Sequence, residues 1–121
     1  MTLTFALPMP PSLNNAYVNV RGRGRVKSAA FKAWITEAGW EIKLQWPPLP
    51  KGKVIFTGPV PVKVDIAFEK PKRRSDLDNR AKPLLDLLTA MYVWSDDSQA
   101  HDLRLRWADV KGCVVTVEEM P

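Results

Sequence analysis

The residues best suited to chemistry in this sequence are aspartates. Asp76-Leu77-Asp78-Asn79 is followed by Lys82, four positions after Asp78, and then by Asp96-Asp97. On extended backbone, side chains two apart face the same way, with Cα atoms about 6.5–7 Å apart. Asp76 and Asp78 would then share one hard divalent cation, or hold one each of a close pair. If Asp78 instead opens a helix, it projects near the same place from the N-terminal turn, and Lys82 lies one turn onward on its side. Crowded carboxylates repel one another, which raises a pKa or calls for a cation. Mg2+ suits such a group, because it prefers oxygen ligands and takes one or two carboxylates beside water and a substrate phosphate. A metal so held activates water and stabilises the charge that develops on a phosphate. Lys82 would add a positive charge beside the scissile phosphate or the leaving oxygen.

Taken alone, this pattern is weak. Asp76 capping a turn, Asp78 capping a helix, and Asp96 and Asp97 as ordinary loop residues form the competing reading. Asp86, four residues from Lys82, is expected to pair with it structurally. His101 stands alone and reads as a surface or strand-end residue. The sequence holds no Cys/His zinc pattern, no glycine loop for cradling phosphate and no serine triad.

These side chains need elements to position them. Thr2 to Ala6 alternates as a short strand, and Pro8, Pro10 and Pro11 force an extended loop through Ser12, Asn14 and Asn15. Tyr17 to Val20 and Arg25 to Lys27 read as two arms around Arg21-Gly22-Arg23-Gly24, a basic tip suited to phosphate contact or to an idle surface turn. Ser28 is a good N-cap. Phe31, Trp34, Ile35, Ala38 and Ile42 recur at helical spacing, predicting a helix over 29–45 whose stripe is core rather than a base-stacking surface. Pro47 and Pro48 should stop it, with a brief strand at Val54 to Phe56 after a Pro/Gly/Lys-rich connection.

Val60 to Phe68 is the best-patterned strand, with Val62, Val64, Ile66 and Phe68 on one face. The basic run Lys70-Pro71-Lys72-Arg73-Arg74 leads from it into the aspartate segment. Ala81, Leu84, Leu85, Leu88 and Met91 predict a second helix over about 80–91. Pro83 is tolerated only in a first turn, so that helix begins near Asp78 to Arg80 or is distorted. Asp102 to Val110 and Val114 to Val117 read as a terminal hairpin around Lys111-Gly112. The expectation is a single α+β domain over residues 1–121, with a mixed β-sheet packed on two main helices.

The charge distribution is consistent with a polyanionic partner. Residues 1–75 carry 13 Lys/Arg against 4 Asp/Glu, and residues 76–121 carry 5 against 9, within a net charge of +5. A basic body with a concentrated acidic patch suits a protein that attracts nucleic acid and holds metal against it, although basic surfaces are common. No apolar run reaches the roughly 20 residues that span a bilayer. Met1 to Leu7 lacks the basic start and long apolar stretch of a signal peptide. Cys113 is the only cysteine, which excludes an internal disulfide. A cytosolic location without membrane association is the expectation.

Three motifs, in order and at consistent spacing, carry a resemblance. They are Pro10-Pro11-Ser12-Leu13-Asn14-Asn15-Ala16-Tyr17 with the stretch Ser28 to Trp34; Arg73-Arg74-Ser75-Asp76-Leu77-Asp78-Asn79 with Lys82 and Leu85-Asp86; and Val93-Trp94-Ser95-Asp96-Asp97-Ser98-Gln99. Over roughly residues 8–102 the chain resembles the RusA family of Holliday junction resolvases. The resemblance implies a homodimeric, Mg2+-dependent endonuclease, with Mn2+ as a substitute metal. Such an enzyme binds four-way DNA junctions and nicks two opposing strands, in recombination and repair.

By motif position it makes Asp76, Asp78 and Asp97 the catalytic metal carboxylates and Lys82 the catalytic lysine. Asp96 either orients its neighbour or is the closer ligand. Arg21, Arg23, Arg25, Lys27, Lys72, Arg73 and Arg74 are the expected DNA contacts. The chain departs from the family at Ser75, where another base is expected, at Pro83 beside Lys82, and at Met91-Tyr92, in a turn better suited to a small residue. The other readings are a non-catalytic branched-DNA-binding module and a phosphohydrolase acting on another nucleic acid.

Overall fold

The computed structural model describes residues 2–45 and 54–121. The expected stop at Pro47 and Pro48 lies outside them. The described chain is one α+β domain with a four-stranded mixed sheet, a separate two-stranded arm and three helices. In chain order these are β1 (Thr2–Leu7), α1 (Leu13–Ala16), β2 (Tyr17–Val20), β3 (Gly24–Lys27), α2 (Ala29–Gln45), β4 (Val62–Glu69), α3 (Ala81–Ala90), β5 (Ala100–Ala108) and β6 (Cys113–Glu119). Single 310 turns at Asp78–Arg80 and Asp97–Gln99 precede α3 and β5.

The sheet order is β1-β6-β4-β5; β5 runs parallel to β4 and the other pairs are antiparallel. The period-two pattern of β4 explains its place. Val62, Val64, Ile66 and Phe68 are all buried, and Ala67 is buried on the opposite face, so this strand belongs inside the sheet. Cys113, Val115 and Val117 continue the apolar face on β6, and Phe5 and Leu7 continue it on β1. Helices α2 and α3 cover that face with Phe31, Trp34, Ala38, Ile42, Leu84, Leu87 and Leu88.

Against expectation, β5 and β6 form no hairpin. The turn after β5 carries the chain across the end of β4, where the Glu69 amide donates to Gly112 O and the Lys70 amide to Ala108 O. Thus β5 and β6 flank β4 on opposite sides. Alternation identified both strands but is silent on which neighbour each pairs with. The polar residues Arg104 and Arg106 suit β5 to the edge it occupies. Gly112 is required at the crossing: its φ is 70°, and a Cβ there would collide with the Leu7 carbonyl.

The helix ends have local causes. Ser28 caps α2 as expected, accepting from the Phe31 amide at 3.1 Å while its hydroxyl donates to Asn15 O at 2.7 Å. At the other end of α2, the Gln45 side-chain amide donates to Ala6 O and accepts from the Ala6 amide, each at 2.8 Å. It thereby supplies edge strand β1 with a partner for both backbone groups. Pro83 falls at the third position of α3, inside the first turn, where its missing N–H leaves no bond unmade. The stretch expected to be loop around Asn14 and Asn15 forms one helical turn, α1, because Ser12 O accepts from the Asn15 and Ala16 amides.

Candidate active site

Lys82 organises the charged side chains. It sits in the first turn of α3 and reaches Asp86 one turn along and Asp97 on the 310 turn before β5, both at 3.0 Å. The hydrogen bonds that it donates to Asp86 and then to Asp97 hold the ammonium well above the ordinary lysine value. Lys82 therefore stays protonated at neutral pH and acts as a fixed charge, not as a base. Asp97 uses one carboxylate oxygen, Oδ2, for this contact.

Asp76 and Asp78 lie across the entry to α3. Asp78 opens the 310 turn, and Asp76 accepts from Asn79 Nδ2 at 3.4 Å. Both carboxylates are exposed. Their hard oxygen chemistry fits Mg2+. Among the described residues, however, no three carboxylate, histidine or cysteine side chains stand close enough together to hold a metal ion. The fold brings Asp97, Asp86 and Lys82 into contact and leaves Asp76 and Asp78 on the neighbouring turn.

Asp96 has a structural task. Its carboxylate caps the Asp97–Gln99 turn, accepting from the Ser98 amide at 3.3 Å and from the Ser98 hydroxyl. The hydroxyl, then the amide, lowers its pKa. This leaves Asp97, the next residue, directed at Lys82.

Sequence reasoning missed Gln99. It is the one polar residue among the buried side chains described, 5% exposed, and all its amide positions are used. Oε1 accepts from the Ser95 and Asp96 amides at 2.9 and 3.1 Å, and Nε2 donates to Phe56 O and Val60 O at 3.1 and 3.0 Å. Gln99 thus ties the Asp96-Asp97 loop to a segment some forty residues earlier. The backbone bond from the Phe56 amide to Val93 O, at 2.9 Å, reinforces the tie. A signal was present in the sequence: Asp96-x-x-Gln99 is a capping-box spacing.

The expected DNA contacts occupy two surfaces. On the β2–β3 arm, Arg25 lies over the Tyr17 ring at 4.7 Å and Lys27 over the Phe31 ring at 5.8 Å. Arg21 and Arg23 stand at the tip, where Gly22 and Gly24 adopt φ of 81° and 73°. The arm is rooted by α1, which contacts both α3 and the Asp78–Arg80 turn. Lys72, Arg73 and Arg74 form the second surface, an exposed loop leading directly to Asp76.

Comparison with known proteins places the chain in a family. The family profile of endodeoxyribonuclease RusA matches residues 8–118. The chain is 37% identical over 106 residues to the crossover junction endodeoxyribonucleases RusA of Enterobacteria phage 82 and of Escherichia coli K12. That from Shigella sonnei is 33% identical over 108 residues. Each alignment covers 86% of this chain and 81% of the relative. The matched span holds the proline-rich segment, the Asp76–Lys82 segment and the Asp96–Gln99 loop, and the chain belongs to the RusA family of endodeoxyribonucleases.

Proposed function

We propose that this protein is a Mg2+-dependent Holliday junction resolvase. It acts as a homodimer and nicks two opposing strands of a four-way DNA junction, in recombination and repair. The observation that carries the reading is the contact of Lys82 with Asp97 beside Asp76 and Asp78, within a chain of the RusA family.

In this proposal Asp76, Asp78 and Asp97, which the described fold leaves too far apart to hold an ion together, would draw in around the metal, and Mn2+ would be able to replace Mg2+. When bound there, the metal would supply an activated water and stabilise charge on the phosphate. Asp97 retains an oxygen not used by Lys82, and Asp76 and Asp78 carry no salt bridge among the described residues. Lys82 contributes a permanent positive charge beside the reacting phosphate. Asp96 is assigned to orienting the Asp97 loop through its cap on Ser98. Arg21, Arg23, Arg25, Lys27, Lys72, Arg73 and Arg74 bind the backbone, without base readout.

A junction presents two equivalent strands, and each chain carries one carboxylate set, so paired nicks call for a two-fold dimer. Sedimentation should give about twice the chain mass of 13.7 kDa. The decisive experiment is a labelled synthetic four-way junction with Mg2+ or with EDTA, using wild type and Asp78→Asn. Paired symmetric nicks that need metal and vanish in the variant are expected. Tight binding by folded wild type without cleavage, in either Mg2+ or Mn2+, would overturn the enzyme in favour of a branched-DNA-binding module.

A further inference from the structure

Beside the aspartate segment lies an open hollow of about 470 Å³, lined by Met9, the loop from Glu69 to Ser75, and Arg80. Its charge is unbalanced. Lys70 is paired with Asp109 at 3.2 Å, and Glu69, the one acid in the lining, accepts from the Gly112 amide at 2.8 Å. Lys72, Arg73 and Arg74 make no ion pair with the described residues, and neither does Arg80. Four like charges around one hollow repel each other, and an anion seated among them removes that cost.

Arg80 differs from the other three. Its Nη1 donates to Pro10 O at 2.6 Å, and its Nε is sealed from solvent with no partner among the described residues. The guanidinium is therefore held through Nη1 by the proline-rich segment, with Nε withdrawn, before its Nη2 side meets any ligand. A planar, pre-oriented guanidinium is the group that best grips a phosphate oxygen. Arg80 also ends the 310 turn that Asp78 begins. The hollow, whose lining includes Ser75 and Arg80, thus adjoins the segment that carries Asp76 and Asp78.

We propose that the hollow is a phosphate subsite. It seats a backbone phosphodiester flanking the scissile one, with Arg80 as its fixed anchor and Arg73 and Arg74 closing over it. The subsite would set how the strand is registered in the active site. The inference rests on the DNA-cleaving reading above.

The test uses four-way junctions carrying a single neutral methylphosphonate, stepped along the cleaved strand on either side of the cut. Affinity is measured with the Asp78→Asn chain, with and without Arg80→Gln, and single-turnover cleavage with Asp78 intact. At one flanking position, neutralisation should weaken binding about tenfold when Arg80 is present and about twofold or less in Arg80→Gln, the scale of a lost charge-assisted bond. Arg80→Lys should fall between them. If Arg80→Gln melts early, Arg73→Gln provides the second measurement, with reduced sensitivity expected at the same phosphate. Position profiles that run parallel in all these proteins, while the wild type still cuts, would overturn the subsite and leave the nuclease standing. A wild type that neither binds nor cuts the junction would instead overturn the nuclease reading beneath it.

Discussion

With carboxylates at 3.0 Å on two sides, Lys82 remains an ammonium ion across the neutral range, so its removal deletes a charge, not a base. Lys82→Ala should slow single-turnover cleavage about a hundredfold, the effect of losing one electrostatic donor, and change junction affinity far less. Equal losses in both would make Lys82 a binding residue. Cys113 makes a different prediction. Burial on the core face of the sheet pushes its thiol from 9.0 up to about 12. The neutral thiol is the form the fold favours, so its contribution to stability is complete below about pH 9 and is lost as pH rises through about 12. Iodoacetamide at pH 8 should leave Cys113 unmodified in the folded protein and alkylate it in urea, as followed by mass spectrometry.

Each of two turns makes a prediction of its own. After α3 the Tyr92 amide donates to Thr89 O and the Val93 amide to Leu88 O, the bond pattern of a Schellman end with Tyr92 in the position usually held by glycine. Tyr92 has φ of 63° and an exposed ring, so Tyr92→Gly should hold or raise stability by up to about 1 kcal/mol in urea unfolding. Gln99 is the opposite case. Gln99→Leu strands two amides in the Asp97 loop and the Phe56 and Val60 carbonyls facing it, and should cost about 2 kcal/mol or more, with slowed cleavage in the folded fraction.

These two turns also mark the boundary of what the sequence discloses. The misfit of a bulky residue at Tyr92 was legible because left-handed backbone has its own residue preferences. Helix α2, strand β4 and the Lys82–Asp86 pair were legible because periodicity and i,i+4 spacing are local. The Gln99 tie, the Lys82–Asp97 contact and the placement of β6 inside the sheet join residues far apart, and no local pattern encodes them. Among the candidate site residues, the motif spacing pointed to Asp97 and Lys82, but it gave no warning that they would touch before any metal arrives.

Across the whole molecule, the proposed function has the basic arm and the basic loop contribute separately to DNA binding. Replacing Arg21 and Arg23 together by Gln should lower the slope of log affinity against log salt by up to about 2, since each phosphate contact contributes roughly 0.9. Cleavage at saturating protein should be little changed. An unaltered slope would mark the tip as idle surface. The sheet adds a consequence in time. Strand β6 lies between β1 and β4, so among the described strands residues 2–7 find their partner at residues 113–118. Pairings of such long sequence separation form slowly. During translation the first strand must wait for its partner strand while almost all of the domain is made. A nascent chain halted before Cys113 therefore lacks the strand that joins the sheet, and a ribosome-bound fragment of this protein should leave DNA uncut until β6 has emerged.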